Sequence, residues 1–461
     1  MSFGKNVITI KASANSDSEI VMHPKQADEI KLGRKKRGFI SFGSQKQYIN
    51  ILMNNEISPD NVLISPKLMA ELHLPDYPIY EMSVDKNEII IGPYIGLLVS
   101  ENDEKLTVSR MKRTLAYVRE YSKLHGAIIV FALNKVDKTN RLIEGYCYNP
   151  IKNYWQKGIF PYPASIYRSI GLSDQWKNHF LSVSGDKIFN NHYFGKWEMY
   201  QWFSQDSELN HHIPYTVLYE SPQDVFNLLE RYKKIYIKPV SGLRGHGIVK
   251  VTMENKIFVF QYREQGVNGQ AVFESISEAN EYIQKRFNNR KYLIQQAIDL
   301  IEYQGGIIDF RCVVQKNQAN IWICNAIVGR LGNKGSIVSN ISSGGAGFLA
   351  ADILGKVISS DEEDILALIE RIESFAIAVC NALDKCGINC GTLGVDVGLD
   401  TKGYLWLIEI NNRDPDPKIA LDIHDEQLYH ILKTSPLFYA KSLAGFTRAG
   451  PDLLNMVDCD R

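Results

Sequence analysis

Apolar and polar residues alternate in short stretches along the first ninety positions. Residues 6–11, 37–42, 61–65 and 79–84 read as strands separated by polar turns, which predicts a small β-rich domain over residues 1–90. The pattern changes at Ile89. Residues 89–100 are continuously apolar, 107–124 carry helical spacing, 126–133 form a buried-type strand, and 142–148 continues the alternation towards the turn Phe160-Pro161-Tyr162-Pro163. This predicts a parallel α/β unit over residues 91–190. Further on, 196–203 reads as an amphipathic helix, 234–239 and 247–252 as strands flanking a glycine-rich turn, and 365–383 as an apolar helix belonging to the core or to an interface.

Composition adds bounds to that picture. A chain of 461 residues has room for roughly three domains, and 45% apolar with 23% charged residues is the mix of a chain folded throughout. Lys plus Arg and Asp plus Glu number 52 each, so the formal net charge is zero and binding to nucleic acid or an anionic membrane through whole-chain charge is excluded. Any polyanion site has to be local. The basic run Lys31, Arg34, Lys35, Lys36, Arg37 lacks interleaved aromatics and reads as a solvated turn. Seven scattered cysteines form no disulfide framework, and Cys386 with Cys390 lacks the second pair a zinc site needs. With no secretory pattern at the start, the expectation is a protein of the reducing cytoplasm.

Three constellations carry chemistry. In the first, Lys238 enters a turn containing Ser241, Gly242, Arg244, Gly245, His246 and Gly247. Glycines let backbone amides close over phosphate oxygens, Ser241 and Arg244 add donors, and Lys238 can reach an α- or β-phosphate. An ordinary hairpin turn is the alternative. The strand-loop-strand order excludes the Rossmann and P-loop fingerprints, which need a helix after the glycines. In the second, Asp396 on one strand and Glu409 with Asn411 on the next offer three hard oxygen ligands suited to Mg²⁺, the alternative being a buried salt bridge. In the third, Asp309 and Arg311 share a strand face, with Arg330 and Asn340 following; they form either a structural ion pair or a device that positions an anion.

The three in this order resemble the ATP-grasp superfamily, and most closely its spore-coat-associated YheC/YheD-like branch. The resemblance spans roughly residues 90–430 and includes Lys196 in Phe194-Gly195-Lys196-Trp197-Glu198, the segment 238–247, Leu293-Ile294-Gln295-Gln296-Ala297-Ile298, Asp309-Phe310-Arg311, and Asp396, Glu409 and Asn411. It implies an α/β (α+β) ATP-grasp fold: two β-rich subdomains that grip ATP (191–298, the nucleotide lid, and 299–440, for metal and substrate), preceded by the α/β pre-grasp and β-rich N-terminal domains and followed by a tail, 441–461. It further implies Lys196 and Lys238 on the α- and β-phosphates, the 241–247 loop as a lid, and the backbone of Gln296, Ala297 and Ile298 on the adenine edge. Arg311 and Arg330 would stabilise the transferring phosphoryl group, with Asn340 assisting. The family's acidic hinge residue is Gln296 here, and Arg413-Asp414-Pro415-Asp416-Pro417 lacks the common Pro-Gly turn, which leaves the acceptor pocket least defined.

The implied activity is an ATP-dependent ligase with Mg²⁺ (or Mn²⁺) that activates a small-molecule or peptide carboxylate as an acyl phosphate and joins it to an amine or thiol. No nucleic acid or membrane partner is expected, and a homo-oligomer is left open. Two alternatives stand beside it: an ATP-grasp kinase, and a nucleotide-binding structural protein of a spore coat.

Overall fold

The computed structural model describes residues 7–14, 18–33, 35–242, 246–264, 267–289, 291–339, 344–358, 361–412 and 415–447. Four sheets follow one another along the chain. Seven strands between Val7–Ala12 and Glu88–Gly92 close into a barrel, in which the short strand Glu19–Met22 and the nine-residue strand Gln45–Met53 join those predicted from sequence. The single apolar run at 89–100 is two strands, Glu88–Gly92 in the barrel and Tyr94–Ser100 in the next sheet, separated at Pro93. Gly126 sits against that break with φ +76°, and a Cβ there would lie 1.9 Å from the Pro93 carbonyl oxygen.

In the second sheet Tyr94–Ser100 runs parallel to both Ala127–Asp137 and Ser165–Arg168, but Leu142–Asn149 and Tyr154–Pro161 continue the sheet antiparallel. The unit expected to be parallel is therefore mixed: tight hairpins, not helical crossovers, join these strands. The helix expected over 107–124 is broken: Val108–Thr114 is α-helical, Leu115–Val118 is a 3₁₀ turn and Tyr121–Leu124 is a final short turn. Its apolar spacing is real, because Leu106, Tyr117, Val118, Tyr121 and Leu124 enter one core with Ile95, Leu97 and Ile128.

The third sheet is antiparallel, in the order Thr216–Leu218, Tyr292–Gln296, Lys234–Pro239, Val249–Glu254, Ile257–Glu264, Val267–Phe273. Helices Pro222–Tyr232 and Ile276–Arg286 cover one face through Val225, Leu229, Ala279 and Ile283. The fourth has the path Ala346–Leu349, Trp322–Leu331, Gly306–Lys316, Thr392–Leu399, Leu405–Asn411, again antiparallel. The helix Glu362–Lys385, capped by Asp361, buries Leu368, Ile372, Phe375, Val379 and Leu383 on one stripe against it.

The last helix, Glu426–Leu443, passes through residue 441, where a tail was expected to begin, and feeds two cores. Leu437, Tyr439 and Ala440 join a core of the second sheet, and Leu432 packs with Val313 and Val328 of the fourth sheet. Pro436 lies inside this helix. It has no N–H for the Leu432 carbonyl four residues back, and buried Gln315 supplies the missing donor through Nε2 at 3.0 Å.

Candidate active site

One face of the fourth sheet is apolar and the other carries its charges beside Val313, Ala326 and Val328, and two irregularities make this so. On Gly306–Lys316, even positions Ile308, Phe310, Cys312 and Val314 face the core under Glu362–Lys385, leaving Asp309 and Arg311 on the opposite face. On Leu405–Asn411, strict alternation would send Glu409 the same way as Leu405 and Leu407, into the core. The register instead pairs Asp396 with Glu409 but Val397 with Leu407, so Ile408 is an extra, bulged residue. Beyond it Ile410 faces the core, and Glu409 and Asn411 turn to the side of Asp396. A second shift, between Val313 and Val314, skips Asn325 on Trp322–Leu331. Trp322 and Cys324 therefore face the core, whereas Val328 and Arg330 face the other side.

These charges form a ladder across strands. Asp309 and Arg311 share a face as expected but do not pair with each other; each pairs with its cross-strand neighbour. Arg330 donates Nε and Nη2 to the two Asp309 oxygens at 2.7 and 2.6 Å, and Arg311 binds Asp396 through Nε and, at 3.1 Å, Nη2. Arg330 also reaches Asp396 at 3.0 Å. Ser339 donates to Asp309 at 2.6 Å, and Asn411 Nδ2 is 3.4 Å from Asp396. Burial opposes ionisation of Asp396, but Arg311 and Arg330 overcome it and hold the carboxyl below the usual carboxylate range. Glu409 pairs with Lys196 at 3.0 Å.

Lys196 opens the helix Lys196–Phe203, as the spacing predicts, and its Nζ also lies 3.4 Å from the Gly242 carbonyl. Lys238 is recessed on the strand Lys234–Pro239 and donates to Gln295 Oε1 at 2.6 Å; Gln295 Nε2 in turn donates to Thr216 Oγ1. Burial, with Lys196 nearby, pulls the Lys238 ammonium down to about 8, against the opposing effect of Glu409.

A cavity of about 890 Å³ collects these groups: Lys196, Lys238, Arg311, Arg330, Asp396, Glu409 and Asn411 all line it, together with Gly242 and His246. A smaller cavity of about 190 Å³ adjoins it between Phe194, Met199 and Val240, sharing Lys196, Gly242, Glu409 and Asn411. Ser241 is exposed and Gly247 takes a positive φ of 75°; neither lines a cavity. Arg244, Gly245 and Asn340 lie outside the described residues. Gln296, Ala297 and Ile298 stand outside both cavities. The Gln296 N–H is spent on the Tyr215 carbonyl at 2.8 Å and that of Ala297 on Lys234 at 3.2 Å.

Sequence reasoning missed the other half of the large cavity, lined by Arg110, Arg113, Tyr117, Lys418, Tyr429 and Lys433. Its signal was Arg110, Arg113, Thr114 and Tyr117 at i, i+3, i+4 and i+7, a polar stripe hidden by the apolar spacing of the same segment. The six cysteines among the described residues are free thiols. No described helix is long and apolar enough to cross a membrane.

Residues 185–443 match the YheC/D-like ATP-grasp family. The endospore coat-associated protein YheD of Bacillus subtilis (strain 168) is 28% identical over 413 residues, 85% of this chain and 88% of that protein. The endospore coat-associated protein YheC of the same organism is 25% identical over 242 residues, 52% of this chain and 65% of that one. Among solved structures, the VanG D-Ala:D-Ser ligase from Enterococcus faecalis is similar at a TM-score of 0.41 and 14% identity, over 76% of this chain and 98% of that chain.

Proposed function

The chain belongs to the YheC/D-like ATP-grasp family, and from that premise we propose that it is an ATP-dependent ligase that activates a carboxylate and joins it to an amine or thiol, releasing ADP and phosphate. The observation that carries the reading is the convergence of four cations, two carboxylates and an amide oxygen on one cavity.

The residues fit Mg²⁺ and a triphosphate by their chemistry. Asp396, Glu409 and Asn411 are hard oxygen donors on adjacent strands, and Glu409 is held by Lys196, a cation that a phosphate could draw away. Bound there, the metal would neutralise charge on the β- and γ-phosphates during transfer. Lys196 and Lys238 bind the triphosphate. Arg311 and Arg330, fixed by Asp396 and Asp309, hold the phosphoryl oxygens and the substrate carboxylate in line. A carboxylate oxygen attacks the γ-phosphorus as ADP leaves; the nucleophile then attacks the acyl carbon and phosphate leaves. No protein nucleophile is required. Reading of adenine by Gln296, Ala297 and Ile298 rests on the family resemblance, as do the roles of Ser241, Gly247, Arg244, Gly245 and Asn340. The names of YheD and YheC support a spore-coat setting for the reaction.

The test is incubation of the full chain with Mg-ATP and pooled amino acids or cell extract, read by mass spectrometry. A condensation product formed with matching ADP and phosphate supports the ligase. Phosphate retained on the acceptor would make the protein a kinase instead.

Lys238 gives a pH signature. Only its protonated form attracts phosphate, so affinity for a non-hydrolysable Mg-ATP analogue is expected to be full below about pH 8 and to fall as pH rises through that value. Lys238→Arg, which stays charged, should flatten the profile. Calorimetric titration between about pH 7 and 9.5 checks both.

A further inference from the structure

The large cavity continues past the nucleotide chemistry. Beyond Arg311 its wall is formed by the helix Val108–Thr114 with the turn after it, and by the helix Glu426–Leu443. Arg110, Arg113, Thr114 and Tyr117 present one helical stripe to it. The apolar Val108 of the same helix is 88% exposed, while Arg110, Arg113 and Tyr117 line the cavity; the Thr114 hydroxyl is spent on the Met111 carbonyl at 2.7 Å. Arg110 donates to the Val99 carbonyl, which fixes its fork. Lys433 approaches Tyr117, with Nζ 3.2 Å from the hydroxyl and 4.4 Å from the ring centre.

The position is also that of a binding crevice. Val99 and Ser169, both on the cavity wall, lie at the carboxyl ends of adjacent parallel strands, the edge where open α/β sheets bind ligands. Charge points to the ligand class. Away from the nucleotide end, the described residues of the wall include four cations, Arg110, Arg113, Lys418 and Lys433, and two carboxylates, Asp416 and Asp422, in a chain whose total charge is zero. Arg110 and Lys433 are half-buried and Arg113 and Lys418 exposed, and a surplus of cations along a cleft selects anions. The cavity's 890 Å³ lies near the upper end of single-ligand pockets, roughly 300–1,000 Å³.

We infer that this half of the cavity is the substrate subsite and that it takes a molecule with at least two carboxylates, one offered for activation and the other held by Arg113 and Lys433. The inference rests on the ligase reading for the first carboxylate and on the wall alone for the second. The same chemistry is offered by a free dicarboxylic acid and by an acidic peptide.

The test measures binding of glutarate, a short Glu-rich peptide and butyrate to the full chain, with and without Mg²⁺ and a non-hydrolysable ATP analogue. Glutarate or the peptide is expected to bind about tenfold or more tightly than butyrate, the increment of a charge-assisted hydrogen bond. Arg113→Gln and Lys433→Gln should each erase that preference, and Lys433→Arg should keep it. Preference for the peptide alone places the acid within a chain; preference for glutarate places it in a small molecule. Equal binding of glutarate, peptide and butyrate by the wild type, no binding of either acidic probe, or an unchanged preference in both Gln variants overturns the inference. Failure of the ATP analogue to bind would strike the ligase reading instead, since the preference is also read without nucleotide.

Discussion

Glu409→Gln is expected to lower Mg-ATP-dependent ADP formation by several orders of magnitude in a chain that stays folded, each factor of ten corresponding to about 1.4 kcal/mol of barrier. Two observations separate the effects. The Glu409 carboxylate is 34% exposed and makes one ion pair, with Lys196, so losing its charge should cost about 1 kcal/mol of stability or less. The same carboxylate stands opposite Asp396 in the sheet register and lines both cavities. Glutamine keeps the size and an acceptor oxygen but removes the charge required by a divalent ion. ADP release measured by chromatography, beside a thermal melt, checks the pair of outcomes; wild-type turnover would remove Glu409 from the metal site.

Asp309→Ala should do the reverse and strike the fold first, costing about 3–5 kcal/mol, the range for one partner removed from a buried pair. Arg330 and Asp309 have side chains only 5% and 7% exposed and are joined by two hydrogen bonds. The cluster of Arg311, Arg330, Asp309 and Asp396 is neutral as built; without Asp309 it carries one uncompensated buried positive charge. Asp309→Asn, which keeps the shape, should lose most of the same energy. Urea unfolding measures both, and a loss below about 1 kcal/mol in each would show the pair to be dispensable. Acid should reveal the same cluster. Burial raises the Asp396 pKa, but the two arginines lower it further, so its contribution is complete above the ordinary carboxylate value of about 3.9 and is lost as pH falls through its lowered value.

Much of the fold was legible in the sequence because its elements carry their own periods. The helix Lys196–Phe203 and the strands Arg37–Phe42 and Lys234–Pro239 are bounded as their apolar spacing predicts. Glu19–Met22, buried at all four positions, has no alternation to betray it, and the cross-strand partners of Asp309 and Arg311 depend on registers that no single strand encodes. The extra residues Asn325 and Ile408 are likewise invisible locally, yet they decide that Arg330 and Glu409 face the cavity. The cavity's second half depends on helices far apart in the chain, so its residues could be read only as isolated surface charges.

The helix Glu426–Leu443 has a consequence for the order in which the molecule is made. It packs on Ile95, Leu97 and Ile128, which leave the ribosome roughly 300 residues earlier; at about 5–20 residues per second that is roughly 15–60 s. Throughout that interval this face of the second sheet is covered only in part, by the segment that carries Leu106, Tyr117, Val118, Tyr121 and Leu124. Lys441 then joins Glu81 of the barrel, and Ser165 donates to the Ala440 carbonyl, so the first-made and last-made parts of the protein are locked by one late step. A ribosome stalled before residue 426 would hold this sheet with its apolar face incompletely covered, and it is there that a nascent-chain chaperone would be needed most.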